Sequence, residues 1–285
     1  MSTVLAVDIG GTKLAAAIVD DDGRILEQAR VPTPVTHDAE ELFAALATMI
    51  ESLSADGRAG AIACGVGSGG PMRGGNALVS PVNIPAWRDF PLRERVEAAT
   101  GLRTVLENDA KALALGEGWL GAARAEHSYL AMVVSTGIGG GIVLAGNLLD
   151  GNDCNAGHIG HVIVEPDGRV CGCGGRGCAE AEASGTAIRA ITGGDPSDAP
   201  PEIIERTGTL VGRAVASVAN LLDLQLAVVS GSVALGYGEP FFAAAQAELD
   251  LRCRLDFSRG TRIVPGGLGA DGPLIGAAAV AFRYG

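Results

Sequence analysis

Basic side chains are scarce in this sequence: 21 Lys and Arg stand against 33 Asp and Glu, a net charge of −12 over 285 residues, and no basic run is visible. Binding a phosphate backbone needs clustered cations to displace counterions, so a dedicated nucleic-acid surface is excluded. Long apolar runs are missing too. No stretch reaches the roughly 18 residues that suggest a membrane span. The opening MSTVLAVDIGGTK lacks the cationic start and apolar core of a secretory signal. No membrane partner and a cytoplasmic location are the expectations. Neither the Walker pattern G-x-x-x-x-G-K-[ST] nor a G-x-G-x-x-G between strand and helix occurs. Any phosphate site therefore needs a different frame.

Glycine, by contrast, is abundant. With 43 Gly, 47% hydrophobic and 19% charged residues, the composition is that of a compact globular protein rich in tight turns, not a disordered or fibrous one. The length suits two domains at roughly 150 residues each, and a cleft between them.

Strand-like runs at 4–7, 14–19 and 24–31 are separated by turns at Gly10-Gly11 and Asp21-Asp22-Gly23, an antiparallel meander. Helical spacing of Leu42, Leu46, Met49, Ile50 and Leu53 follows, then a strand over 60–67. Helices over 91–100 and 109–120 enclose a strand over 103–106, and strands and helices now alternate, which is the α/β pattern. Strands over 129–134 and 141–144 flank S135-T136-G137-I138-G139-G140, echoing the first pair around D8-I9-G10-G11-T12-K13. Two such units predict two similar halves, each offering backbone N–H groups to phosphates. Further on, helices are expected over 184–191 and up to residue 222, a strand over 226–230 running into Gly231, and a small-residue helix over 274–282. The expected domains are 1–108 with 273–285, and 109–272.

Asp8, Gly10, Gly11, Thr12 and Lys13 join a carboxylate suited to hydrated Mg²⁺ with a tight turn and donors for a γ-phosphate. Thr136, Gly137, Gly139 and Gly231 are the matching candidates in the second half. Plain Gly turns explain the same residues. Asp109, where a strand meets a helix, could take a proton from a substrate hydroxyl, or could simply cap the helix. In segment 161–178, His161, Cys171, Cys173 and Cys178 form a four-ligand set suited to structural zinc, with a redox or disulfide element as the alternative. Cys64 reads as a core residue. Cys154 and Cys253 have no evident partner.

Taken together, V-D-I-G-G-T-K, E-N-D-A, S-T-G-I-G-G-G and G-H-x9-C-G-C-G-G-R-G-C-A-E resemble the ROK family of bacterial sugar kinases and sugar-responsive repressors over nearly the whole chain. The resemblance implies a two-domain actin-like, ribonuclease H-like ATPase fold with an interdomain cleft and a structural zinc site. It also implies ATP, Mg²⁺ and Zn²⁺ as cofactors, Asp109 as catalytic base, and Asn108, Glu180 and His161 as sugar ligands, His161 also binding zinc. Gly69, Gly70 and Asn83 (in S-P-V-N-I-P-A-W) lie where the family approaches its sugar. One departure stands out: the family's usual G-E-x-G-H reads Gly157-His158-Ile159-Gly160-His161 here, placing His158 at a sugar-binding position, unless it is a turn residue or a competing zinc ligand. The expected reaction is phosphorylation of glucose at its 6-hydroxyl, with N-acetylmannosamine or another hexose as the alternative substrate. A repressor is disfavoured because no helix-turn-helix precedes the first strand, and a pseudokinase because Asp109 and both loops are present. A homo-oligomer, dimer or tetramer, is implied.

Overall fold

The computed structural model describes residues 1–285. In chain order the elements are β1 (Thr3–Ile9), β2 (Lys13–Asp20), β3 (Ile25–Pro32), α1 (Ala39–Glu51), α2 (Ala55–Gly60), β4 (Ala61–Ser68), β5 (Met72–Arg73), β6 (Leu78–Val79), α3 (Leu92–Thr100), β7 (Thr104–Asn108) and α4 (Asp109–Trp119). Then come β8 (Tyr129–Val134), β9 (Ile138–Leu144), β10 (Asn147–Leu148), α5 (Ala179–Ala183), α6 (Gly185–Thr192), α7 (Pro201–Leu222), β11 (Leu226–Ser230), α8 (Ser232–Tyr237), α9 (Glu239–Arg252), β12 (Arg262–Pro265) and α10 (Gly272–Tyr284). The chain forms two units, one of Met1–Leu120, Asp150–Ala156 and Leu268–Gly285, the other of Gly121–Leu149 and Gly157–Gly267.

The first unit is built on a five-stranded sheet of order β3-β2-β1-β4-β7, antiparallel across β1 to β3 and parallel from β1 through β4 to β7. Alternate residues of a strand face opposite sides. Leu5, Val7 and Ile9 of β1 accordingly pack with Leu42, Leu46 and Met49 of α1. Val4 and Ala6 pack with Leu274, Ala277 and Ala278 of α10. With helices on both faces, β1 reads as one apolar run, whereas the edge strand β3 alternates half-buried and exposed. Asp38 starts α1 by accepting the N–H of Glu40 at 2.8 Å. Each of the buried leucines of α1 contributes about 1.5–3 kcal/mol through burial.

The second unit repeats the plan in a five-stranded sheet of order β10-β9-β8-β11-β12, an antiparallel meander followed by parallel strands. Leu130, Met132 and Val134 of β8 share a core with Ile188, Leu210, Val211 and Phe241 from its helices. The echo between the two Gly turns is thus an echo of whole sheets. Helix α9 and strand β12 escaped the sequence reading. In α9 the buried stripe is only Phe241, Ala245 and Leu249, too narrow to announce itself beside the exposed apolar Leu251.

The boundary expected at Asp109 falls after Leu120, because α4 packs on α10 and belongs to the first unit. Segment Asp150–Ala156, assigned from sequence to the second domain, also joins the first unit. It is held there by Asn155, which accepts from Met72 N–H at 2.9 Å and donates to Met72 O at 3.0 Å. No helix is long and apolar enough to cross a membrane.

Candidate active site

Because β1, β4 and β7 are parallel neighbours, their C-terminal ends lie side by side, with Asp8 opposite Gly67, Gly67 opposite Glu107 and Ser68 opposite Asn108. Such strand ends are where an α/β sheet presents side chains to ligands. Asp8 is only 7% exposed. Burial, and next the charge of Asp109, push its carboxyl up to about 7, while Lys13 and Arg30 pull the other way. A hydrated divalent cation beside Asp8 would favour its charged form against that burial.

Asn108 is the cap of α4, its Oδ1 accepting the N–H groups of Ala110 at 3.1 Å and Lys111 at 3.3 Å. Asp109 is therefore the first residue inside the helix, and the plain capping explanation passes from it to Asn108. Exposed Asp109 accepts the Ala110 N–H at 2.8 Å. With the Asn108 oxygen turned to the helix, its amide nitrogen is the group left for a ligand.

Gly10 N–H donates to Lys13 O at 3.0 Å, closing the turn between β1 and β2, and leaves Gly11, Thr12 and Lys13 exposed. A Cβ on Gly11 would stand 2.7 Å from that of Asn83, so the loop carrying Asn83 lies against this turn. Gly69 and Gly70 continue from β4, Gly70 joined to Pro71 by a cis peptide bond.

Behind the strand ends sits a buried cation that the sequence reading overlooked. Lys111 is 1% exposed and contacts Glu107 Oε1 at 3.1 Å, Asp150 Oδ1 at 2.8 Å and Cys154 O at 3.0 Å. Burial works against its charge, but Glu107 and Asp150 outweigh that and hold Lys111 above the ordinary lysine range. The available signal was a single Lys among the apolar residues 110–115 of α4, four residues after Glu107.

In the second unit the turn after β8 folds back on itself, Ser135 N–H donating to Gly137 O at 2.9 Å. Two residues at the start of α6 hold its carbonyls: Gly185 N–H reaches Ser135 O at 2.7 Å and Thr186 Oγ1 reaches Thr136 O at 2.9 Å. From the start of α5, Glu180 Oε2 accepts the Ile138 N–H at 3.0 Å. A Cβ at Gly137 would lie 2.8 Å from the same oxygen, so a larger residue there would have to push the Glu180 carboxylate aside. Ser232, next to Gly231, has its Oγ 2.9 Å from that of Ser135. Thr136, Gly137, Gly231 and Glu180 therefore gather around one turn, and Gly139 lies just beyond in β9.

The ROK family profile matches residues 4–283. The chain belongs to the ROK family. An N-acetylmannosamine kinase from Escherichia fergusonii is 39% identical over 252 residues, which are 83% of this chain and 85% of that protein. Among solved structures, a ROK hexokinase from Thermus thermophilus superposes with TM-score 0.87 at 36% identity, covering 99% of this chain and 98% of its own. A ROK family glucokinase from Streptomyces griseus, in complex with glucose and AMPPNP, superposes with TM-score 0.82 at 30% identity over 99% of this chain and 100% of its own. The fold is the actin-like α/β fold of these ROK kinases, as the sequence motifs implied.

The four residues of the cysteine segment converge into a cluster that could hold a metal ion. His161, Cys171, Cys173 and Cys178 bring their ligand atoms within 4.8 Å of one another. His161 Nδ1 lies 3.8 Å from Cys171 Sγ, and Cys173 Sγ lies 3.8 Å from Cys178 Sγ. Ligands on a tetrahedral zinc at its usual bond lengths stand roughly 3.3–3.8 Å apart, so these two pairs sit at the upper end of that spacing and the set as a whole, within 4.8 Å, would draw in slightly around the ion. Burial pushes the Cys178 thiol up to about 12, whereas the Gly175 N–H, 3.4 Å from Cys173 Sγ, draws Cys173 down. Protein groups alone do not favour ionising the cluster together, and a dication would. Its base is braced by Glu182, a 1% exposed carboxylate held by Arg206 Nη2 at 2.6 Å, Arg169 Nη1 at 3.1 Å and the Arg169 backbone N–H. Exposed His158 has its ring centroid 6.1 Å from that of His161.

Proposed function

We propose that this ROK family sugar kinase transfers the γ-phosphoryl group of ATP to the 6-hydroxyl of N-acetylmannosamine. The observation that carries the choice of sugar is His158. A carboxylate can only accept hydrogen bonds, and it suits a sugar bearing hydroxyls throughout. An acetamido group presents an N–H, which a carboxylate can accept, and also a carbonyl oxygen, which only a donor can meet; an imidazole N–H provides that donor. The 39% identity to an enzyme named N-acetylmannosamine kinase supports the same choice. Glucose is the second reading, favoured by the fit to a glucokinase and a hexokinase.

In this reading Asp109 accepts the proton of the 6-hydroxyl as that oxygen attacks phosphorus, and Asn108 offers its amide nitrogen to a neighbouring hydroxyl. The turns at Gly10–Lys13 and Ser135–Gly137 hold phosphates through backbone N–H groups, with Lys13 adding charge. Asp8 would hold Mg²⁺, which spreads the phosphate charge when bound. Zinc on His161, Cys171, Cys173 and Cys178 would fix the orientation of the His161 ring for sugar recognition, a positioning task only.

A coupled ADP-release assay across N-acetylmannosamine, glucose, mannose and N-acetylglucosamine tests the assignment. The expected result is at least a tenfold preference in kcat/KM for N-acetylmannosamine over glucose, about 1.4 kcal/mol of transition-state discrimination. His158→Glu is expected to narrow or invert that ratio. A wild-type preference for glucose sinks the assignment of the sugar, and no turnover on any sugar sinks the kinase reading.

A further inference from the structure

Glu180 is the point where the second phosphate turn and the proposed sugar pocket share a single side chain. Its Oε2 accepts the Ile138 N–H at 3.0 Å, and the turn passes so close that a Cβ on Gly137 would stand 2.8 Å from that oxygen and displace it. The same turn is fastened to the start of α6 by Gly185 and Thr186, through Ser135 O and Thr136 O. Glu180 is thus the ionisable side chain built into the fastening of this turn, and Oε1 is the oxygen it has left for a sugar hydroxyl.

We infer that Glu180 couples sugar binding to nucleotide binding. The inference rests on the reading of Glu180 as a sugar ligand and of Ser135–Gly137 as a phosphate turn. A sugar hydroxyl donating to Oε1 fixes the carboxylate plane, and with it the Oε2 acceptor that positions Ile138 N–H. The turn is then already ordered when the phosphates arrive, so the ordering cost is met once for two ligands. Linkage makes the effect reciprocal: nucleotide tightens sugar by the factor by which sugar tightens nucleotide. Glu180 is in this respect a positioning residue for the phosphate turn as well as a sugar contact.

Calorimetric titration of the intact protein measures that factor directly. A non-hydrolysable ATP analogue with Mg²⁺ is titrated with and without saturating N-acetylmannosamine, and the sugar is titrated with and without the analogue. The wild type is expected to bind each ligand about 5–20-fold more tightly in the presence of the other. Gly137→Ala, whose methyl displaces the carboxylate from Ile138, is expected to bring the ratio to within about twofold of unity, whatever it does to either affinity alone. Glu180→Asp withdraws the carboxylate by one methylene from the other side and should abolish the coupling likewise, while Glu180→Gln keeps an acceptor for Ile138 and retains part of it. Folding of each variant is followed by circular dichroism, and the two replacements act on different elements, so one misfolded variant leaves the other to decide. A wild-type ratio near unity with sugar binding and turnover intact overturns the coupling alone. Full coupling in either Gly137→Ala or Glu180→Asp overturns it too. Failure of the wild type to bind the sugar overturns the functional reading together with the coupling.

Discussion

Replacing Asp109 with Asn removes a proton acceptor while leaving Asn108, the cap of α4, in place. Turnover is expected to fall about 10²–10⁴-fold, the usual worth of a positioned base, with sugar affinity retained. Thermal unfolding should be nearly unchanged. The converse variant, Asn108→Ala, removes the cap and should cost about 0.5–2 kcal/mol of stability in addition to weakening sugar binding. Kinetics and melting curves on the two variants separate these roles. If Asp109→Asn keeps the wild-type kcat, Asp109 is not the base. The neighbouring Lys111 shows how a residue can be visible in sequence and its importance not. Its charge is plain, but only the fold brings Asp150 and the Cys154 carbonyl to it.

At the scale of elements, the zinc segment carries two predictions. The purified protein should contain about one zinc per chain by elemental analysis, and chelation should lower its melting temperature, because metal affinity is spent on holding the loop folded. Metal-free protein with an unchanged melting temperature overturns this. Glu182 braces the same segment. Burial opposes its ionisation, yet the Arg169 N–H and the Arg206 and Arg169 guanidinium groups prevail and hold its carboxyl below the ordinary range. Its contribution is therefore fully present above the ordinary carboxylate pKa and is lost as pH falls through the lower folded value. Glu182→Gln should cost about 1.5–3 kcal/mol at neutral pH, the worth of charged hydrogen bonds. The gap to the wild type should close in acid, as measured by urea unfolding at several pH values; a gap independent of pH contradicts the assignment.

Much at this scale was legible in the chain itself. The cysteine segment could be read because ligand chemistry and spacing are local, and the two Gly turns because apolar strands flank both. Helix α9 and the bracing of Glu182 were not legible, since a narrow Phe-Ala-Leu stripe and a carboxylate two residues after Glu180 acquire meaning only from what packs on them.

For the whole molecule, the decisive feature is discontinuity. The first unit is assembled from Met1–Leu120, Asp150–Ala156 and Leu268–Gly285. The sequence reading foresaw the return of the last segment but drew the boundary at Asp109, because a change from one unit to the next leaves no mark in composition when both are α/β. A fragment of residues 1–120 lacks α10, so the face formed by Val4, Ala6, Ala15, Ala17 and Val19 loses its cover. Such a fragment is expected to show no cooperative unfolding transition in circular dichroism. Joining residues 268–285 to it through a flexible linker should restore one.

Synthesis on the ribosome runs in the opposite sense to this architecture. Strands β1 and β2 are made well before the helix that covers one side of them, which follows more than 250 residues later. At about 5–20 residues per second, that interval lasts on the order of 10–60 seconds. For all of it the nascent amino-terminal sheet carries an uncovered apolar side, while the second unit, complete before α10 appears, can already close. The three alanines of this side, between Val4 and Val19, limit the apolar surface exposed during the wait.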